Sequence, residues 1–357
     1  MSTMLKRLIA WLVLLGVLVF AGQQWGYPAW QSWLTEREVA RIEALKSLPL
    51  PVAAQPGRLD PDRMMQDLSW MAHPDRQGRE SGQPGALATR HWLLEQYQQI
   101  GLQPAGVEGY LHEYEVQEHI QFSGVFRQRQ RHIEAISNAA NVLGSLPGKQ
   151  AGLPYIAISA HYDHLGVRNG EVFHGADDNA SGVAAMLELA RYFAQHPTEH
   201  PLLFMALDSE EKGLQGAVAL FRDQAIRPDQ LAFNVNLDML SRDTERQLFA
   251  VGTYQHPWLH PLLDRVQQQS SVRLIRAHDR PWWRAGRTEN WVNSSDHGVF
   301  HRHGVPFIYF GVADHPDYHT PRDTSDRVDA EFYQAVSETV LDFILRLDQQ
   351  LAAKAQR

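Results

Sequence analysis

The chain has 357 residues, a formal net charge of −8 and no cysteine. That length is enough for one large α/β domain or two smaller ones, with ample material for a core. The acidic balance gives no electrostatic reason to expect nucleic acid as a partner. The missing thiols exclude disulfides, cysteine nucleophiles and cysteine-rich zinc sites, so any metal must be held by His, Asp and Glu.

In chain order, Lys6 and Arg7 precede an uninterrupted apolar run, residues 8–21. Its length suits the core of a signal peptide, whereas the Trp-rich flank up to Trp30 suits an uncleaved anchor with an interfacial belt. Residues 1–28 are therefore read as a signal peptide or a signal anchor, making membrane contact there. Either reading exports the rest of the chain, to the periplasm or to the periplasmic face of an inner membrane. Residues 29–58 read as an amphipathic helix, with Trp30, Trp33, Leu34, Ile42 and Leu45 at helical intervals, and then a Pro-rich linker. Together they read as a stalk below a domain spanning residues 59–350, with packing on that domain or on lipid as the alternatives.

Within that domain, a turn-rich loop at 78–85 leads into a helix over 86–100, marked by Trp92, Leu93, Tyr97 and Ile100 and closed by Gly101. Residues 109–136 read as a β-hairpin and 140–144 as a further strand. From Tyr155 onward short apolar runs alternate with helical patterns, which predicts an α/β fold with a mostly parallel central sheet flanked by helices. A last helix over 329–347 repeats Phe332, Val336, Val340, Phe343 and Leu347 on one face.

Three of the apolar runs end in potential metal ligands. The run 155–159 leads to His161, 202–207 to Glu210 and Glu211, and 232–237 to Asp238. Open α/β sheets place their ligand crevice outside the carboxyl ends of the strands, so these side chains are expected at one sheet edge. Asp163 is placed to accept the second ring N–H of His161, with His164 a competing ligand. The acidic pair in "GADDNASG" (175–182) exceeds what capping the following helix needs, and a carboxylate there can bridge two cations. Glu210 and Glu211, in extended backbone, are expected to point in opposite directions, one toward an ion and one toward substrate. That division suits hydrolysis, because one carboxylate fixes the cation while the other takes a proton from water. His319, with His315 as its rival, follows a further strand over 305–311. The contiguous Ser295, Asp296 and His297 cannot converge as a catalytic triad.

These segments resemble a known family, the co-catalytic zinc aminopeptidases of the secreted bacterial leucyl-aminopeptidase type, relatives of glutamate carboxypeptidase and glutaminyl cyclase. The resemblance runs from about Gly78 to Val328 through "GRESGQPG", "NVLGSLPG", "AHYDHLG", "GADDNASG", "DSEEKGLQG", "NLDM", "SSDHGVF" and "YHTPRDT", in family order. It implies a zinc-exopeptidase-like fold and two Zn2+ ions held by His161, Asp178, Glu211, Asp238 and His319, with Asp178 as the bridge. It also implies Glu210 as general base, Asp163 and Asp296 as supporting neighbours, and a peptide substrate that loses its N-terminal residue. Two other readings stand beside it: single-zinc aminoacyl cyclisation of the glutaminyl-cyclase kind, and a non-catalytic exported binding domain. The Trp- and Arg-rich stretch 278–287 is expected either at the peptide cleft or against the stalk or a partner.

Overall fold

The computed structural model describes residues 11, 26–49, 57–116, 119–123, 128–132 and 136–355. All of the apolar run except Trp11, and most of the Pro-rich linker, lie outside these residues. Among the described residues no helix is long and apolar enough to cross a membrane.

The strands are β1 (Gln103–Pro104), β2 (Leu111–Val116), β3 (His119–Ser123), β4 (Gln128–His132), β5 (Ile136–Leu146), β6 (Tyr155–His161), β7 (Val167–Arg168), β8 (Glu171–Val172), β9 (Leu202–Leu207), β10 (Leu231–Leu237), β11 (Gln247–Val251), β12 (Arg273–Ile275) and β13 (Phe307–Gly311). Nine of them form one sheet in the order β1-β5-β9-β6-β10-β13-β11-β12, with β2 also paired to β5. β3 and β4 form the hairpin expected within residues 109–136.

The four central strands β9, β6, β10 and β13 run parallel, while β1, β2 and β9 pair with β5, and β11 with β13, in the antiparallel sense. The sheet is thus mixed rather than mostly parallel. The link from β10 to β11, residues 238–246, contains no helix. A parallel return needs a crossover of about a dozen residues or more, so β11 enters reversed.

Both faces of the sheet are covered. Strand alternation sends Leu202, Phe204 and Ala206 of β9 into one apolar cluster and Leu203, Met205 and Leu207 into another. The first cluster receives α2 (Pro61–Met71), α3 (Pro84–Ile100), α4 (Gly182–Gln195), α6 (His260–Gln267) and α9 (Ala330–Ala355). The second receives α5 (Gln215–Arg222) and α8 (His297–Arg302). α3 ends as the sequence predicts, with Gly101 left-handed at φ 85°. α9 buries all five residues of its predicted stripe and runs eight residues past Leu347.

α1 (Tyr27–Lys46) packs on the domain, the alternative to a free stalk. Gln31, Leu34, Glu38 and Ile42 are buried, and Ile42 joins Phe249, Ile275 and Phe307 in a third cluster. The stretch 278–287 contains the short helix α7 (Trp282–Ala285) and receives α1. Arg280 pairs with Glu38 at 3.2 Å, and Arg287 N–H donates to Thr35 Oγ1 at 2.9 Å. Of the expected places for this stretch, the structure thus selects the one against the N-terminal helix.

Candidate metal centre

Chain connections leave β6 toward β9 on one side and reach β10 on the other, so the strand order reverses at β6. Crevices form at such switch points. His161 is the last residue of β6, Asp238 follows β10 directly, Glu210 and Glu211 follow β9, and His319 lies on the loop after β13. Four adjacent parallel strands thus deliver their side chains to one crevice, which Asp178 reaches from the distorted turn Ala176–Ser181 before α4.

The donor atoms fall into two groups that share one residue. Single atoms of His161, Asp178 and Asp238 lie within 4.8 Å of one another, as do single atoms of His164, Asp178 and Glu211. His161 Nε2 is 3.3 Å from Asp238 Oδ1 and 3.4 Å from Asp178 Oδ1. On the other side of Asp178, Oδ2 is 3.0 Å from His319 Nε2 and 3.6 Å from His164 Nδ1. Each oxygen of Asp178 therefore faces a different group, which is the geometry a bridging carboxylate requires.

His319 meets the second group from the cleft side, its Nε2 3.3 Å from Glu211 Oε1, while fully buried His164 meets the same oxygen at 3.0 Å from Nδ1. Neither ring nitrogen of His164, nor Glu211 Oε1, has a hydrogen-bond partner. The donor set fits divalent cations. Metal content decides which imidazole completes the second position. If it is His319, as the motif resemblance implies, His319→Ala is expected to retain one ion per chain and His164→Ala two; the opposite result assigns His164.

The electrostatics call for positive charge. Burial and Asp178 push the Glu211 carboxyl up, yet the His164 and His319 imidazoles hold it down at about 2. His319 is itself pushed down by burial and raised to about 10 by Asp178 and Glu211. Burial raises Glu210 well above the usual carboxylate range, opposed by His161 and reinforced by Asp238, Asp296 and Glu211. A cation at either group lowers all of these carboxyls.

The supporting residues differ in part from expectation. His161 Nδ1 donates to the backbone carbonyl of Asp163 at 3.2 Å and lies 3.6 Å from its carboxylate. That carboxylate instead accepts the backbone N–H of Glu210 at 3.0 Å and of Glu211 at 3.3 Å. The acidic pair sits in a turn rather than extended backbone: Ser209 is left-handed at φ 59°, and Gly213 and Leu214 N–H donate back to the Glu210 carbonyl. Both glutamates nevertheless line the cleft. Asp296 begins α8 completely buried, with neither carboxyl oxygen partnered. Burial pushes its pKa up to about 8, opposed by His161 and reinforced by Asp163 and Asp238.

The neighbouring Asp177 has a separate task. It accepts from Ser241 N–H and Oγ–H at 2.7 Å each and pairs with His315 at 3.2 Å, which removes His315 as a rival ligand. Asp323 accepts the N–H groups of Asp177 and Asp178, tying the His319 loop to the bridge. Ser209, Met239 and His319 are left-handed, at φ 59°, 63° and 53°, so three of the four strand exits carry backbone strain beside a site residue.

Sequence reasoning did not single out Arg79. Its guanidinium is completely buried and donates to the carbonyls of Met71, Tyr162, His174 and Gly175 at 2.6–2.9 Å. It thereby joins the end of α2, the loop after β6 and the approach to Asp178. Only "GRESGQPG" signalled that stretch.

The cleft is small, about 80 Å3, and its walls include Met239, Trp291, Tyr309, Val312 and Tyr318, with Asp314 at the same opening. A larger hollow of about 580 Å3, lined in part by Arg63, Trp70, Trp92 and Arg191, lies away from these ligands. Chemistry rather than volume locates the site.

A family profile described as Peptidase family M28 matches residues 141–344, more than half of the chain. The chain belongs to peptidase family M28. Among curated relatives of this M28 chain, Aminopeptidase YwaD of Bacillus subtilis is 26% identical over 223 residues, covering 58% of the chain but only 45% of YwaD. Among solved structures, BSAP, a zinc aminopeptidase from Bacillus subtilis, superposes with a TM-score of 0.63 at 15% identity, over 81% of this chain and 96% of that one. Porphyromonas gingivalis glutaminyl cyclase gives 0.61 at 19% identity, over 83% and 100%. At such identities the M28 chain shares their fold, and its chemistry must be argued from its own residues.

Proposed function

We propose that this chain is an exported zinc aminopeptidase acting on peptides through two ions, with Glu210 as general base. The observation that carries the reading is the pair of donor groups sharing Asp178, with Glu210 beside them in the cleft. His161, Asp178 and Asp238 would hold one ion, and Asp178, Glu211 and His319 the other. Bound there, divalent cations polarise the scissile carbonyl and acidify water. Glu210 takes the proton from the attacking water and passes it to the amine as the peptide bond breaks. Asp163 holds the Glu210 and Glu211 backbones while His161 Nδ1 is occupied by a carbonyl, which leaves Nε2 free for metal. The apolar side walls accept one apolar side chain, and Asp314 supplies a carboxylate suited to a free α-ammonium.

The likeness to glutaminyl cyclases favours a second reading, cyclisation of an N-terminal glutamine at one ion, whereas the shared Asp178 favours two ions. The test uses the full chain, because α1 belongs to the folded unit. Aminoacyl 4-nitroanilides and an N-terminal glutaminyl peptide are offered before chelation, after it and after zinc is restored. Expected are release of nitroaniline, its loss with chelator, its return with zinc, and about two ions per chain by elemental analysis. Cyclised glutamine with one ion would replace the reading, and a metal-free, inactive chain would leave a binding domain.

A further inference from the structure

Five exposed aromatic side chains from two distant stretches meet on one surface, away from the metal centre. Tyr27, Trp30 and Trp33 are 51%, 40% and 52% exposed, and Trp282 and Trp283 are 54% and 51% exposed. Four of the rings touch in series: Tyr27 to Trp30 at 6.0 Å, Trp30 to Trp282 at 6.1 Å, Tyr27 to Trp282 at 6.5 Å and Trp282 to Trp283 at 5.7 Å between centroids, and Trp33 follows Trp30 one turn along α1. Of the exposed tryptophans among the described residues, all but Trp11 are here.

The patch is built rather than incidental. α1 has two different faces: Gln31, Leu34, Glu38 and Ile42 are buried in the domain, while Tyr27, Trp30 and Trp33, three apart, form an outward stripe. The loop that adds Trp282 and Trp283 is clamped to the inner face through Glu38 and Arg280, and Arg41 Nη1 donates to the Arg276 carbonyl at 2.9 Å. Gly286 is left-handed at φ 64° and lies so close to α1 that a Cβ there would meet the Thr35 nitrogen at 2.6 Å. Basic groups border the rings: Arg37 lies over Trp33 at 5.5 Å, and exposed Arg284 and Arg287 belong to the same loop.

The position of the apolar run identifies the occupant. It ends at Ala21, six residues before Tyr27. Six residues span at most about 20 Å, so a bilayer holding residues 8–21 lies within reach of the patch. Trp and Tyr favour the headgroup layer, and arginine favours its phosphates. We propose that this two-segment aromatic surface rests in the headgroup layer of the bilayer that holds residues 8–21, fixing the domain's orientation on it. The inference rests on reading that run as a retained anchor and is independent of the catalytic reading.

The absence of cysteine makes the test clean. Single Trp283→Cys, Val107→Cys and Leu14→Cys variants of the full chain, each carrying a nitroxide, are reconstituted into phosphatidylcholine–phosphatidylglycerol vesicles. Collision with oxygen, which enters lipid, is compared with collision with a water-soluble nickel chelate. Val107 is 65% exposed beside β1, at the other end of the sheet from α1, and Leu14 reports the run itself. Expected is an oxygen-to-nickel ratio several-fold higher at residues 283 and 14 than at residue 107. A water-like ratio at 283 with residue 14 immersed overturns the docking surface while sparing the anchor. A water-like ratio at 14 removes the anchor and the proposal with it. Shielding of 283 from both reagents places protein there instead and also overturns it. A Trp33→Cys label shifting toward the nickel chelate when Trp282 and Trp283 are both Asp would confirm that the two stretches act as one surface.

Discussion

On the function proposed above, replacing Glu210 with Gln is expected to lower kcat by about 10²–10⁴-fold, the range for losing one general base, with metal content unchanged. The substitution keeps the shape of the side chain and the backbone bond to Asp163, but an amide cannot accept the proton. Glu210 belongs to neither donor group although it lines the same cleft, so its loss leaves the ligands in place. Glu211→Gln is the contrasting control, because Glu211 is in a donor group and its loss is expected to lower metal content. Steady-state kinetics and elemental analysis on the same preparations separate the two. A Glu210→Gln chain with undiminished turnover, or one that has shed its metal, would count against the assignment.

The second large effect is on stability. Arg79→Met should destabilise the fold by roughly 3–5 kcal/mol, since buried carbonyls left without a donor cost about 1–3 kcal/mol each and partial relaxation keeps the total below their sum. Four carbonyls lose a charge-assisted donor at once, in a place where water cannot replace it. The readout is a lower urea midpoint at unchanged m-value. Arg79→Lys should recover only part of the loss, since one ammonium cannot span four carbonyls across a planar fork. Zinc titration of the folded fraction should also show weaker binding, as the approaches to His161 and Asp178 both lose their tie. A midpoint close to that of the parent chain would show that the carbonyls find other partners.

The parts of the fold that were legible in the sequence share a physical cause. Parallel strands covered on both faces are continuous apolar runs, so β6, β9 and β10 announced themselves, and the polar residues just beyond each run were read as site residues. In the structure His161 and Asp238 fall into one donor group and Glu211 into the other, and Asp178 joins both. Side-chain direction was less legible. Glu210 and Glu211 were assigned opposite directions from strand alternation, but the left-handed turn at Ser209 removes that alternation. Arg79 was invisible as an individual because its partners are carbonyls at positions 71, 162, 174 and 175, and a carbonyl leaves no mark in sequence. The orientation of β11 also escaped notice, since apolar patterning carries no direction, although the short helix-free link before it does. The apolar positions of α1 were recognised as periodic but treated as one face; the structure divides them between Leu34 and Ile42 inside and Trp30 and Trp33 outside.

The docking of α1 has a further consequence for how the sheet ends. At one end the terminal strand is β12, with only three residues, so that end offers no long row of unpaired backbone groups. At the β12 end, Arg41 occupies the Arg276 carbonyl and Arg273 donates to the carbonyl of Leu48, so α1 and its exit cover the margin beyond that strand. Exposed strand margins are templates for another chain to pair with. A protease that cut between residues 48 and 58 and released α1 would therefore bare an apolar margin around Phe249, Ile275 and Phe307, and its first visible effect would be self-association rather than slower turnover.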